Sequence, residues 1–107
     1  MVAARLADSS TDVIAAVVLD AAGGLVEVSG VERERARELA DLARQLVERA
    51  DSVSSDPVAQ IEVQTVGGAV FAVRDSRHVL ACVTRRAALP ALVLYDLRRA
   101  LAELAPA

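Results

Sequence analysis

The stretch from residue 13 to residue 28, VIAAVVLDAAGGLVEV, decides the fold of this 107-residue chain. Its first part, Val13–Leu19, is apolar throughout, which is typical of a β-strand buried on both faces. The pair Gly23-Gly24 then provides a turn, and Leu25–Val28 resumes with β-branched residues, so the stretch predicts a β-hairpin. Because the first strand has no polar face, helices are expected to cover both sides of its sheet.

A long amphipathic helix is predicted directly after the hairpin. Residues 29–32 have the S-x-x-E pattern of a capping box, in which Ser29 accepts from a helical N–H and Glu32 reaches back. One face is apolar at helical spacings of three and four: Leu39, Leu42, Ala43, Leu46, Val47 and Ala50. The opposite face alternates in charge sign: Arg37, Asp41, Arg44 and Glu48. Pro57 lies beyond the point where this helix must end.

Three further strands and a second helix are predicted after residue 57. Val58–Val66 alternates between apolar and polar residues, the pattern of a half-exposed strand. Ala69–Val73 and Val79–Val83 are apolar throughout and are expected to be buried strands. Pro90 opens the last helix at its first position, where a missing N–H costs nothing. Leucines line the inner face of that helix: Leu94, Leu97, Leu101 and Leu104.

The predicted order is strand, strand, helix, strand, strand, strand, helix. This order defines an α/β fold in which helices sandwich a five-stranded, mainly antiparallel sheet. We expect one domain over residues 1–107, with a short N-terminal segment at 1–12 and a core at 13–104. Within the segment, Val2–Ala7 is expected to form a helical turn.

Composition and charge exclude several classes of function. The 12 basic residues are all arginine, against 15 acidic residues, and the net charge is −3, so no global field attracts nucleic acid. Aromatic residues make up only 2%, too few for platforms that stack bases. The apolar run Val13–Leu19 is far shorter than the roughly 20 residues that cross a membrane. With Cys82 as the single cysteine, we expect a soluble, cytoplasmic protein.

No motif predicts catalysis, a metal ion or a cofactor. His78 and Cys82 are the only residues of their types, and a structural zinc site needs four ligands. Asp75, Ser76 and His78 have the residue types of a hydrolase triad, but they fall within one turn rather than converging from separate elements. Both glycine pairs lie between strands, so neither directs helical N–H groups at a phosphate. We therefore expect no catalytic residue and no cofactor.

The strand at Val58–Val66 predicts a protein partner. Its polar face places it at a sheet edge, and it has neither proline nor lysine to prevent pairing with another chain. The long helix precedes this strand directly, so strand and helix are both expected to meet a symmetry mate in a dimer. The alternative is a tolerated edge, kept polar by Gln60, Glu62 and Gln64.

The sequence also contains two pairs of adjacent arginines, Arg85-Arg86 and Arg98-Arg99. Solvated surface is the simpler interpretation, because charged side chains mostly face water. A docking patch for an acidic partner is the alternative.

The chain resembles the Roadblock/dynein light chain domain family, as a bacterial single-domain member. The resemblance rests on the element order and on three segments: VVLDAAGGLV at 17–26, GGAVFAVRDSRHVLACVT at 67–84 and LVLYDLRRALAEL at 92–104. It implies a Roadblock/profilin-like fold and a non-catalytic role without cofactors. It also implies homodimers or heterodimers with a joined sheet and adjacent long helices, which regulate or scaffold small Ras-like GTPases.

Carried onto this sequence, the resemblance places the dimer seam at Val58–Val66 and at the helix Glu32–Asp51. The implied interface residues are Leu39, Leu42, Leu46, Gln60, Ile61, Glu62, Val63 and Gln64. The implied GTPase contacts are Arg37, Asp41, Arg44 and Glu48. The family usually begins with a full helix, so the short segment before Val13 is expected to leave one sheet face partly bare.

Two alternatives stay open at this point. The partner of the seam is either a second copy of the chain or a Roadblock paralogue. The function is either that of a GTPase adaptor or that of a small-molecule sensor, which needs a concave apolar pocket with a few converging polar groups.

Overall fold

The computed structural model describes residues 2–9, 12–86 and 88–104, apart from the side chains of residues 7–9. In chain order the elements are α1 (Val2–Ser9), β1 (Val13–Asp20), β2 (Leu25–Ser29), α2 (Arg33–Val53), β3 (Gln60–Gln64), β4 (Gly68–Arg74), β5 (His78–Arg85) and α3 (Pro90–Leu104). From β1 onward this is the predicted order. The segment expected to form a helical turn is helical, and it extends over eight residues, further than expected.

The five strands form one antiparallel sheet in the order β2-β1-β5-β4-β3. This confirms the predicted fold class. The strands predicted to be buried on both faces, β1, β4 and β5, lie in the middle of the sheet. The alternating strand β3 lies at one edge, as predicted, and β2 lies at the other.

Helices α1 and α3 cover one face of the sheet. Phe71, Leu80 and Leu97 are fully buried between these helices and the central strands. Val2 and Leu6 of α1 join the same cluster, and each retains only a few per cent of its surface. The expectation of a partly bare face is therefore wrong, because two turns of amphipathic helix suffice to bury these side chains.

Helix α2 covers only part of the other face. Its alanines, among them Ala36, Ala40 and Ala43, are buried and let the helix approach β1, β2 and β5 closely. The apolar surface of this face continues beyond the helix over Val70 of β4 and Ile61 of β3. Because α2 makes little contact with β4 and β3, Ile61 and Val63 of β3 are only half-buried beside it, and their partly exposed apolar surface is called the open strip below.

The start of α2 differs from the prediction. Its N-cap residue, Glu32, is extended and makes no side-chain capping hydrogen bond, so the predicted capping box at residues 29–32 is wrong. Ser29 instead belongs to β2 and pairs with Ala16 of β1. Gly30 turns the chain between strand and helix with φ = +89°, and a Cβ there would lie 2.1 Å from the carbonyl oxygen of Ile14. Strand pairing therefore overrides the local capping signal.

The edge strand is also shorter than the predicted Val58–Val66, since β3 spans only Gln60–Gln64. Before it, the N–H of Val58 donates to Oδ1 of Asp51 at 2.9 Å. After it, the N–H of Thr65 donates to the carbonyl oxygen of Gly68 at 2.8 Å, which closes the turn into β4. The start of the strand is thus fixed by a contact that a local sequence pattern does not contain, and its end by a local turn.

Candidate functional site

The free edge of β3 presents one row of unpaired backbone groups. The N–H of Arg74 donates to the carbonyl oxygen of Ala59 at 3.0 Å, and the Thr65–Gly68 bond continues the same alternation at the other end. Odd-numbered residues of this strand therefore bond to β4, and even-numbered residues direct their N–H and C=O groups outward. The outward-directed residues are Gln60, Glu62 and Gln64. Such a row is a template for a strand from another chain.

The apolar and the polar side chains of β3 lie on opposite faces of the sheet. Ile61 and Val63 are half-buried on the face that α2 partly covers. Gln60, Glu62 and Gln64 are exposed on the opposite face. There, Nη2 of Arg98 in α3 donates to Oε1 of Gln60, so α3 lies beside the edge strand. The edge is therefore apolar on the α2 face and polar on the α3 face.

One flank of α2 is apolar and borders the open strip. Leu39 is buried and Leu46 is half-buried, whereas Leu42 keeps 40% of its surface exposed. A groove of about 310 Å³ lies between this flank and the sheet, where Ile14 and Val83 face Leu39 and Leu42. Of the predicted interface residues, Leu39, Leu42 and Leu46 of α2 thus lie on the same face of the sheet as Ile61 and Val63 of β3. The other three, Gln60, Glu62 and Gln64, lie on the opposite face.

A clamp fixes the loop between α2 and β3. Nη2 of Arg74 donates to Oδ1 of Asp51 at 2.5 Å, and Nε of Arg74 donates to the carbonyl oxygen of Val58 at 2.7 Å. The hydrogen bond from Arg74, followed by that from the N–H of Val58, lowers the pKa of Asp51. The clamp determines where the edge strand begins. The sequence gives no indication of the clamp beyond an arginine placed directly after an apolar strand.

The other flank of α2 carries the predicted GTPase contacts. Arg37, Asp41 and Glu48 are exposed, as the alternating charges predict. Arg44 is half-buried, because its guanidinium donates to the carbonyl oxygen of Gly23 in the β1–β2 turn and to Oδ1 of Asp41. This flank therefore faces the β1–β2 turn and is separated from the apolar flank by the body of the helix.

A cleft of about 840 Å³ opens between the second half of α2 and the ends of the central strands. Arg44, Glu48, Asp51, Arg74 and His78 line it together with apolar side chains from β1 and β5. Nδ1 of His78 is buried there and makes no hydrogen bond to any residue that the structure describes. The sequence alone does not reveal this cleft, because its residues come from four separate elements and from three of the connections between elements.

The triad-like residues form a turn, as the sequence argument expected. Oδ1 of Asp75 accepts hydrogen bonds from the backbone N–H groups of Arg77 and His78, each at 2.8 Å. Burial raises the pKa of Asp75, but these two N–H donors and the charges of His78 and Arg77 outweigh it, so the net shift is downward. The carboxylate thus closes a turn and is engaged by backbone donors.

Cys82 is a core residue rather than a reactive thiol. Its side chain is fully buried in the cluster beneath α1 and α3. Burial raises the pKa of the Cys82 thiol to about 12, against a minor opposing effect of a backbone hydrogen bond at Phe71. Within the described residues no group of three or more His, Cys, Asp or Glu side chains is arranged to hold a metal ion. In the same part of the chain, no helix is long and apolar enough to cross a membrane.

An exposed apolar patch on α3 was not predicted. Leu92 and Tyr95 are each about 60% exposed, and Leu89 lies exposed just before the helix. The sequence places Leu92 and Tyr95 three residues apart, which would have shown a second apolar stripe on this helix. Of the two basic doublets, Arg98-Arg99 lies on α3 and Arg85-Arg86 at the end of β5, and all four residues are exposed.

Taken together, these observations define a small α/β protein whose antiparallel sheet has a free edge at β3. The sequence pattern of the Roadblock/LC7 domain matches residues 3–85. The chain therefore belongs to the Roadblock/LC7 family, which confirms the resemblance seen in the sequence. The match ends with β5, so α3 lies outside it.

Solved structures share the whole architecture at low sequence identity. A Roadblock/LC7 domain from Streptomyces avermitilis superimposes with a TM-score of 0.89 at 22% identity, covering 96% of this chain and 91% of that one. A second Roadblock/LC7 structure from the same organism gives 0.81 at 24% identity, with coverages of 96% and 94%. MglB from Myxococcus xanthus gives 0.76 at 17% identity, with coverages of 96% and 88%. No curated protein matches the sequence significantly.

Proposed function

We propose that this protein is a non-catalytic, cytoplasmic adaptor or regulator of a small Ras-like GTPase and that it acts as a dimer. The observation that carries the proposal is the open β3 edge beside an uncovered apolar strip, in a chain of the Roadblock/LC7 family. The family likeness supports the GTPase partner, and the geometry of β3 and α2 supports the dimer. The proposal gives only the class of the partner, because no residue of this chain identifies a particular GTPase.

The position of the proposed dimer seam follows from the backbone groups and apolar side chains that β3 and α2 leave exposed. β3 offers outward N–H and C=O groups to a second strand, and Ile61 and Val63 offer an apolar surface on the α2 face. Leu39, Leu42 and Leu46 extend that surface along α2. A second copy that pairs through β3 brings its own α2 beside the first and covers the open strip. A Roadblock paralogue with the same edge is the heterodimeric alternative.

The proposed GTPase-binding flank of α2 comprises Arg37, Asp41, Arg44 and Glu48. It faces away from the seam, so a dimer presents it twice and leaves it accessible. Three of its four side chains are exposed, and their alternating charges suit a partner surface of mixed sign. Arg44 supports this flank by anchoring it to the carbonyl oxygen of Gly23.

The test is binding to a purified small GTPase in its GDP-bound and GTP-bound states, followed by measurement of its GTP hydrolysis rate. We expect binding in at least one nucleotide state and a loss of at least tenfold in affinity for the double variant Arg37→Glu, Glu48→Arg. The matched control is Arg99→Glu, a charge reversal on the opposite face of the sheet, which should leave affinity unchanged. Absence of binding by every GTPase of the source organism in both states contradicts the proposal.

A small-molecule sensor is the second candidate, and the 840 Å³ cleft beside α2 favours it. Its size falls within the range of ligand sites, and it combines apolar walls with the guanidinium groups of Arg44 and Arg74 and the ring of His78. A ligand that binds only the folded state raises the melting temperature by mass action. A thermal-shift screen with metabolites separates the two candidates, and His78→Ala should abolish any shift that originates in this cleft.

A further inference from the structure

We propose that a second copy of this chain pairs with β3 in a single register, in which the two-fold axis passes through Glu62 and each Glu62 faces its own counterpart. This inference rests on the proposed dimer and deepens it. It names the centre of the seam and the residue whose charge limits the strength of self-association.

The free edge of β3 is bounded at both ends by contacts within the chain. At its start, the N–H of Val58 donates to Asp51 and the carbonyl oxygen of Val58 accepts from Arg74, at 2.9 Å and 2.7 Å. At its end, Thr65 is bonded to Gly68 through both its N–H and its hydroxyl, and the chain turns away from the edge. The backbone that remains available to a second strand therefore runs from Gln60 to Gln64.

This free segment is symmetric about Glu62. An antiparallel pair with its axis at Glu62 places Gln60 opposite Gln64 and Gln64 opposite Gln60. All three outward-directed residues then have partners. No other two-fold arrangement of the segment achieves this.

Shifted registers leave part of the edge unpaired. An axis at Ile61 places Gln64 opposite Val58, whose N–H and C=O groups the clamp already holds. An axis at Val63 places Gln60 opposite Val66, which lies in the turn after the strand. A shift of a single residue sets outward-directed backbone groups against inward-directed ones and is excluded by the two-residue repeat of a strand.

The register determines which side chains meet at the seam. On the α2 face, Ile61 lies opposite Val63, so the apolar surface continues across the two chains. On the α3 face, the two Glu62 residues lie at the centre, with Cα atoms about 5.5 Å apart, as in any hydrogen-bonded antiparallel pair. Like charges directly opposite one another weaken strand pairing. On the same face, Nη2 of Arg98 in α3 donates to Oε1 of Gln60, one pair away from this centre.

Cysteine cross-linking tests the register directly. Three single variants, Glu62→Cys, Ile61→Cys and Val63→Cys, are oxidised under mild conditions and the covalent dimer is measured on a non-reducing gel. The predicted register brings only position 62 within the 4.4–6.8 Å Cα separation, roughly, that a disulfide spans. The native Cys82 is buried and its pKa is raised to about 12, so it should not contribute a cross-link.

A second measurement tests the charge at the centre. Glu62→Gln removes the repulsion and keeps the oxygen that accepts from Nε2 of Gln64, so the dimer dissociation constant should fall by about twofold to fivefold. The matched control is Glu34→Gln, which removes the same charge from the exposed first turn of α2 and should leave the constant unchanged. An unchanged or higher constant for Glu62→Gln contradicts the proposed centre.

Light scattering on the wild-type chain separates failure of the register from failure of the dimer. Efficient cross-linking of Glu62→Cys alone supports the inference. Preferential cross-linking of Ile61→Cys or Val63→Cys overturns it, and so does a wild-type dimer in which none of the three variants cross-links. A chain that stays monomeric at every concentration overturns both the homodimer and the register.

Discussion

Oδ1 of Asp51 accepts a hydrogen bond from Nη2 of Arg74 at 2.5 Å, and this contact ties the last turns of α2 to the end of β4. Both residues also bind the backbone of Val58, one at its N–H and the other at its carbonyl oxygen. A single ion pair thereby holds the loop that leads into the edge strand. The ion pair matters for the proposed seam because it determines which backbone groups of this segment remain free to bind a second strand.

Removal of the arginine should loosen the start of β3. Arg74→Ala deletes the hydrogen bond to the carbonyl oxygen of Val58, and we expect a loss of about 1 kcal/mol in the free energy of unfolding. Urea denaturation measures this change. Arg77→Ala, in the exposed turn that follows, removes no side-chain hydrogen bond among the described residues and should change stability by no more than about 0.5 kcal/mol. Equal effects of the two substitutions would contradict the clamp.

Stability should fall in acid. The pKa values of Asp51 and Asp75 are both lowered in the folded chain, by Arg74 and Val58 in the first case and by two backbone N–H donors in the second. A carboxyl group whose pKa is lowered in the folded state stabilises the protein at pH values above its unfolded-state pKa of about 3.9. This stabilisation is lost as the pH falls through the folded-state pKa. Urea midpoints between pH 7 and pH 2.5 should therefore decline mainly below about pH 4.5.

The Asp51 part of this acid effect can be separated from the Asp75 part. Asp51→Asn should flatten the decline, because the neutral amide has no carboxylate to protonate. Asp56→Asn, a change at an exposed side chain in the same loop, should leave the slope as it is in the wild type. A wild-type slope in Asp51→Asn would show that Asp51 does not contribute.

Gly30 should not tolerate a side chain. Gly30→Ala places a Cβ 2.1 Å from the carbonyl oxygen of Ile14 at a residue with φ = +89°. We expect a loss of at least about 2 kcal/mol, from backbone strain and from displacement of β1. Gly67→Ala is the control, since no atom outside the adjacent residues lies within 4 Å of its added Cβ. Thermal melts of the two variants should differ by several degrees, and equal melting temperatures would contradict this account of the β2–α2 connection.

A charge on the α2 face of β3 should disrupt the proposed dimer. Ile61→Arg replaces a half-buried apolar side chain on the seam, and the dimer dissociation constant should rise at least tenfold. Val26→Arg makes the same type of change on β2, the opposite edge of the sheet, where Val26 is 51% exposed. Sedimentation equilibrium compares the two. If Val26→Arg weakens the dimer and Ile61→Arg does not, the seam lies at β2.

The outline of the fold was predictable because it depends on local patterns. Val13–Leu19, Ala69–Val73 and Val79–Val83 are apolar throughout, and strands of that kind must occupy the middle of a covered sheet. The alternation around Ile61 and Val63 placed β3 at an edge for the complementary reason. The capping box at Ser29 failed, because the same residue was required by the pairing of β2 with β1.

The candidate site was predictable only in part. The apolar flank of α2 and the edge strand follow from periodicity, so their residues were identified in advance. The clamp of Asp51 and Arg74 and the anchoring of Arg44 to Gly23 join residues that are at least 21 positions apart, and the cleft beside α2 combines residues of several elements. No local pattern contains such pairs, since they arise only when the sheet brings its turns beneath the helix.

The sequence by itself determined the element order, the buried centre of the sheet and the presence of an edge that invites a partner, because these depend on the period of apolar residues along the chain. The tertiary structure alone decided how much of that edge is free. Val58 lies within the alternating pattern, yet its backbone is held by Asp51 and Arg74. The hydrogen bonds from these distant side chains occupy backbone groups of Val58 that would otherwise be free to pair with another strand. The free row is therefore limited to Gln60–Gln64, and Glu62 lies at its centre.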